Sequence, residues 1–359
     1  TTKEERIALI KQWIPDEDGL IDCDMDLWDI YDDYIKGIRE VAEINAGMSG
    51  TPSDIGVVRY NRDVIDRLPE GNDHPDVLFI EFAVNDYGTA TAGKGYEGLI
   101  RQALKSGSAV VLVFSVFQKA SGCENDYRPF GTHYDLPMIS MGNAISSYFD
   151  GNDQKAFYKW YFGDSLHPNN TGYQLMADCI TRMFDKMDKE TAEEDNITDM
   201  DAMAPVKSSA YQGMKMLDSK TDVTKDNAIT SFTSGGFNQN DNATGSFQYE
   251  YKGQKGAAWF PDNWMHTSTS GTDALKLKVK CKALTLIYKL SNSVEYGSAD
   301  LYVDGKLQAT LSGYDTSGWN NGKVYVAIEE DAEAEHTIEL RMNDESESKK
   351  FTLMAIGYN

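Results

Sequence analysis

Near the middle of the chain an aspartate and a histidine stand three apart, in Phe162-Gly163-Asp164-Ser165-Leu166-His167-Pro168-Asn169. At that spacing a carboxylate and an imidazole can orient and polarise one another, and a histidine changes charge near neutral pH. Two other stretches carry groups suited to a ligand. Asn45-Ala46-Gly47-Met48-Ser49-Gly50-Thr51 offers a glycine whose backbone N–H no side chain obstructs. Ala83-Val84-Asn85-Asp86 offers a carboxamide. Taken singly, each also reads as ordinary structure: a turn, a strand cap, a loop. His167 alone among the five histidines has such surroundings, and His74, His133, His266 and His336 read as surface or core residues.

The elements that must position these groups follow from the hydrophobic pattern. Residues 40–190 alternate short apolar runs with helical patterns, as stacked βα units around a parallel sheet do. The expected strands are Val41–Gly47, Asp76–Ala83 and Ala109–Phe117. The expected helices lie near Ile55–Leu68, Tyr96–Lys105 and Thr171–Met187. All three candidate groups then fall just beyond strand ends or before the last helix, where open α/β sheets place their chemistry. From Asp185 to Asp201 eight acidic residues stand against two lysines, a composition that stays solvated. Beyond it the period becomes two, in LKLKVKC, ALTLIYKL, ADLYVDGKLQATL, KVYVAIEE, HTIELRM and KFTLMAIGYN. Short alternating runs separated by Gly, Ser and Asn clusters indicate an antiparallel β-sandwich, with Asp304-Gly305 as a tight hairpin turn. The expected organisation is an α/β domain at 1–190, a linker at 191–225 and a sandwich at 226–359.

In this order along the chain, the three blocks resemble those of SGNH (GDSL) hydrolases over about residues 40–190, with FIEFAVND and DSLHPNNTGYQLMAD as the most specific stretches. With a β-sandwich following, the whole resembles two-domain carbohydrate acetylesterases. The resemblance implies an α/β fold of three flavodoxin-like layers with a parallel sheet, followed by a jelly-roll-like antiparallel sandwich akin to a carbohydrate-binding module. It also implies roles: His167 as general base, Asp164 as its orienting carboxylate, and the Gly47 N–H and Asn85 side chain as an oxyanion hole. The physical logic agrees. A hydroxyl must lose its proton as it attacks an ester carbonyl, and donors aimed at the developing oxyanion lower the barrier by ~3–4 kcal/mol each. The implied activity is removal of acetyl groups from oligosaccharides of plant polysaccharides such as mannan or xylan, without a cofactor or metal.

One departure stands out. The nucleophilic serine belongs upstream of Gly47, yet residues 1–46 hold no serine, and the first is Ser49. Ser165 coincides with the Asp-x-x-His block, and Cys23 has no apolar strand before it. The nucleophile is therefore unassigned. The favoured expectation is a missing segment that bears the first strand and the nucleophile, either upstream of Thr1 or within about residues 15–27; a replaced nucleophile or a non-catalytic relative are the alternatives.

In the second half, Trp259, Trp264 and Trp319 fall in loops rich in Gly, Ser, Asn and Asp, where an exposed indole can stack on a sugar ring. Trp264 and Trp319 are the expected substrate contacts. Asp262, Asn263, Asp315, Asn320 and Asn321 supply oxygen atoms but no calcium loop of known spacing. The net charge of −23 repels nucleic acid and anionic lipid, and no run of about 18 apolar residues is present to span a membrane. The four cysteines, far apart, suggest neither a disulfide framework nor a zinc site. The opening TTKEERIALIKQW reads as an amphipathic helix rather than a signal peptide, which favours a cytoplasmic location. The oligomeric state is open. Two rival readings remain: a catalytically silent saccharide-binding protein, and a lipase or thioesterase, the latter disfavoured by the polar, tryptophan-bearing second domain.

Overall fold

The computed structural model describes residues 42–359 apart from 83, 119–121, 147–153, 188 and 190–198. The apolar runs form a parallel sheet of three strands among the described residues, in the order β1 (Val77–Glu81), β2 (Ala109–Phe114) and β3 (Met138–Ser140). Alternation along β2 sends Val110, Leu112 and Phe114 to one face and Val111 and Val113 to the other. The first face packs on α1 (Ser53–Asp63), α2 (Lys94–Ser106) and α3 (Glu124–His133). The second packs on α4 (Met141–Ser146), α5 (Gln154–Tyr161) and α6 (Asn170–Met187). Burial of both faces explains why β2 reads as a continuous apolar run.

The expected strand at Val41–Gly47 is not found. Val41 lies outside the described residues, and 42–47 pair with no strand among the described residues. Their polar groups are used locally: the Gly47 N–H donates to Asn45 Oδ1 (2.9 Å) and the Arg67 guanidinium to the Asn45 carbonyl (2.6 Å).

The second half is one large antiparallel sheet. Its order is β11 (Lys306–Ser312), β10 (Ser298–Val303), β12 (Trp319–Met342), β9 (Leu275–Ser291), β13 (Phe351–Tyr358) and β4 (Lys215–Leu217). Two shorter strands add to it, β5 (Ile229–Thr233) on β9 and β8 (Trp264–His266) on β13. A separate two-stranded ribbon comprises β6 (Glu250–Tyr251) and β7 (Gln254–Lys255). β9 and β12 are 17 and 24 residues long. Register shifts near Val326 and between Glu329 and Ala334 let the pair bend, so the sheet wraps a core of Leu277, Leu286, Leu301, Leu340 and Leu353 in sandwich-like fashion. Asp304 (φ +51°) and Gly305 (φ +76°) form the hairpin turn between β10 and β11.

Helix α1 lies between the halves and belongs to both. Ile55, Val57 and Val58 share one hydrophobic cluster with Leu112 and Tyr96 on one side and Ile287, Met354 and Trp259 on the other. At its C-terminal end the fully buried Asp63 accepts from Arg59 (2.7 Å), from Arg62 (2.5 and 2.8 Å) and from the Tyr251 hydroxyl (2.7 Å). Arg62 also donates to the Trp259 carbonyl (2.9 Å). Residues 199–217, within the stretch read as a linker, are packed as well. The buried Glu97 carboxylate accepts from the backbone N–H groups of Val206, Lys207 and Ser208, while Tyr211 and Met214 are fully buried.

Candidate active site

The Asp164–His167 loop joins α5 to α6 and is closed by its own backbone. Gly163 N–H donates to the His167 carbonyl (2.9 Å) and Asn169 N–H to the Tyr161 carbonyl (2.8 Å). Asn169 Oδ1 then accepts from Gly172 N–H (3.0 Å), which caps α6. Gly172 is required here, since a Cβ at this position would stand 2.6 Å from the Tyr161 carbonyl oxygen and 2.8 Å from Pro168 Cβ.

Within that frame Asp164 Oδ1 accepts from the backbone N–H groups of Leu166 and His167, both at 2.7 Å, and Oδ2 meets His167 Nδ1 at 2.8 Å. A carboxylate can only accept, so the proton between them sits on Nδ1, and in the neutral imidazole this tautomer puts the lone pair on Nε2. The His167 backbone N–H and imidazole, with the Leu166 N–H, hold the Asp164 carboxyl well below the usual carboxylate range. Both side chains are exposed, at 70% for His167 and 59% for Asp164, so Nε2 is open to an incoming group. Among the described residues no hydroxyl bonds to Nε2. Cys23 and the stretch 15–27 lie outside the described residues.

Gln118, just past β2, stitches this loop to the parallel sheet. Its backbone N–H donates to the Ser165 carbonyl (3.3 Å), its Nε2 donates to the Asp164 carbonyl (2.9 Å), and its own carbonyl accepts from the Tyr158 hydroxyl. Asp164 and His167 therefore stand at the carboxyl end of β2. Asn85 is exposed at the carboxyl end of the neighbouring β1. The residue after it, Asp86, accepts from Ser53 N–H (2.7 Å), which ties the Asn85 turn to the start of α1 and hence to the 45–52 loop. Gly47 is exposed in that loop, with its N–H held by Asn45.

The two expected tryptophans part company. Trp264 is 4% exposed: its strand pairs with β13, and its ring packs against Phe232 at 5.4 Å between centroids, so no ligand reaches it. Trp319 is 50% exposed at the start of β12 and stands edge-on to the buried Trp259 at 5.4 Å. It reaches across to the other half of the chain, because a Cβ on Gly50 (φ +63°) would lie 2.9 Å from its ring.

Solved structures share this fold. A two-domain esterase active on acetylated mannans, crystallised with mannopentaose, superposes with a TM-score of 0.69 over 92% of this chain and 84% of its own, at 23% identity. A second structure of such an esterase gives 0.66 with the same identity and coverage. The chain has the fold of a two-domain esterase. No family model matches the sequence, and no curated protein does either.

In this two-domain esterase fold Asp164 and His167 come together as the sequence suggested, and Asp86 ties the Asn85 turn to the helix start that follows the Gly47 loop. The sequence reading overlooked Gln118 and Asn169, which carry the His167 loop, and Asp86, which holds the Asn85 turn. Asp86 had one visible signal, a carboxylate directly after Asn85. Gln118 had none. Among the described residues no group of three or more His, Cys, Asp or Glu is arranged to hold a metal.

Proposed function

We propose that the protein is a carbohydrate O-acetylesterase acting on acetylated oligosaccharides from plant polysaccharides such as mannan or xylan. Its α/β half would have the flavodoxin-like layering of the SGNH hydrolases. The observation that carries this reading is the Asp164–His167 pair, pinned at the carboxyl end of a parallel sheet with Nε2 open, in a chain whose fold is that of an esterase active on acetylated mannans.

In the proposed reaction a hydroxyl nucleophile, not yet assigned, passes its proton to His167 Nε2 as it attacks the acetyl carbonyl. Asp164 keeps the imidazole in the required tautomer and stabilises its charged form. The Asn85 carboxamide donates to the developing oxyanion; the Gly47 N–H joins it once its bond to Asn45 Oδ1 opens. His167 then returns the proton to the leaving sugar hydroxyl, and water repeats the sequence on the acyl-enzyme. Trp319 serves as the sugar platform, since its ring is half exposed beside the 45–52 loop.

Acetate release from acetylated mannan, acetylated xylan and a small aryl acetate, with and without His167→Ala, tests the reading. Release from a polysaccharide that disappears in the variant is expected. Release that survives the substitution would remove His167 from its role.

A further inference from the structure

Asp86 is 4% exposed, and among the described residues no lysine or arginine bonds to it. Its Oδ1 accepts from Ser53 N–H (2.7 Å) and its Oδ2 from the Tyr127 hydroxyl (2.7 Å). A buried carboxylate without a cation is costly. Burial pushes its carboxyl up to about 6, and the charge of Asp54, itself buried, adds to the rise. An amide or hydroxyl side chain could hold a turn at less cost. What the carboxylate supplies is two strong acceptors aimed at two different elements.

Three segments meet there. The Asp86 N–H closes a turn onto the Phe82 carbonyl (2.9 Å) immediately after β1. Ser53 opens α1 and directly follows the 45–52 loop. Tyr127 belongs to α3, its ring stacked on Tyr96 at 4.2 Å. The exposed Asn85 precedes this junction by one residue, so its backbone has little freedom while both bonds hold. Resting on the esterase reading above, we propose that Asp86 is the positioning residue for Asn85: its carboxylate clamps the turn after β1 to α1 and α3, so that the carboxamide keeps one position for the oxyanion.

The test is a cycle on the full chain with a small aryl acetate: wild type, Asn85→Ala, Asp86→Ala and the double variant, with Tm recorded for each. Asp86→Ala is expected to lower kcat by ~10- to 10²-fold with KM within about twofold, because a displaced donor weakens the transition state rather than ground-state binding. In the Asn85→Ala background the same change should cost less than about threefold in kcat, while the fall in Tm is the same in both. Equal kcat losses in both backgrounds, or none in either, overturn the role. Tyr127→Phe keeps the ring stack and removes one donor to Asp86. It should lower kcat by roughly 3- to 10-fold with the same dependence on Asn85, and it decides the matter if Asp86→Ala fails to fold. A wild type inactive on every acetyl ester overturns the esterase reading and this role together. An active wild type with uncoupled variants overturns the role alone.

Discussion

Helix α1 is held at its two ends by buried aspartates in opposite electrostatic settings. At the end facing the candidate site, Asp86 takes Ser53 N–H and the Tyr127 hydroxyl, with no cation against it among the described residues. At the far end Asp63 is gripped by Arg59 and Arg62 and by the Tyr251 hydroxyl of the sandwich half. Burial pushes both carboxyls up. Asp86 rises to about 6, whereas the hydrogen bond and charge of Arg62, with those of Arg59, bring Asp63 down to about 2. The difference separates two tasks. The Asp63 end is built for cohesion between the halves; the Asp86 end accepts an electrostatic cost to fix a turn beside an exposed carboxamide. Functional sites commonly break local rules for stability that the rest of the fold observes.

The largest expected effect lies on the site side. His167→Ala should lower kcat by roughly 10³-fold or more while leaving Tm within about a degree, because the side chain is exposed and only the base is lost. A large drop in Tm on calorimetry would make the loop structural and erase the contrast. Next comes the cohesive end. Asp63→Ala leaves two arginines uncompensated and should destabilise the protein by about 3–5 kcal/mol in urea, with kcat per folded molecule unchanged. A variant that melts normally would show the cluster to be ornamental.

A smaller effect is in pH, and its sign differs at the two ends. Asp63 has a folded pKa of about 2 against an ordinary 3.8, so its contribution, about 2 kcal/mol, is full above pH 3.8 and is lost as pH falls through about 2. Asp86 runs the other way: its carboxyl is raised, so the stabilising protonated state is full below pH 3.8 and lost as pH rises through about 6. Asp63→Asn should therefore flatten the acid limb of Tm against pH, and Asp86→Asn the fall between pH 4 and 6. Identical profiles for the two variants would dissolve the comparison. The smallest effect is at Trp319: Trp319→Ala should cost about 10-fold in kcat/KM on acetylated oligosaccharides and little on an aryl acetate, since only a sugar uses the platform. Equal losses on both substrates would assign the ring to packing on Gly50.

What was legible in the sequence depended on how locally it was encoded. β1, β2 and α6 stood out because their apolar runs are long enough to show a period. β3 has three residues and shows none. Asp164 and His167 were legible because the pair is closed within four residues. The clamp at Asp86 was not, because its partners lie 33 and 41 positions away. LKLKVKC and ALTLIYKL read as two strands but form the single bent β9, as KVYVAIEE and HTIELRM both lie in β12. Periodicity does not reveal whether a break is a turn or a bulge. Trp264 and Trp319 looked alike in their loops; only pairing with β13 buries the one and leaves the other exposed.

The cluster around α1 bears on how such a chain can change over time. A module that owns its core can be copied, lost or joined to a new neighbour with little damage. Here the packing of Ile55 and Val58 depends on Ile287 and Met354, which lie more than two hundred residues further along the chain. The α/β and sandwich halves instead share that core, so a change of side chain on either side of the contact alters the packing of the other.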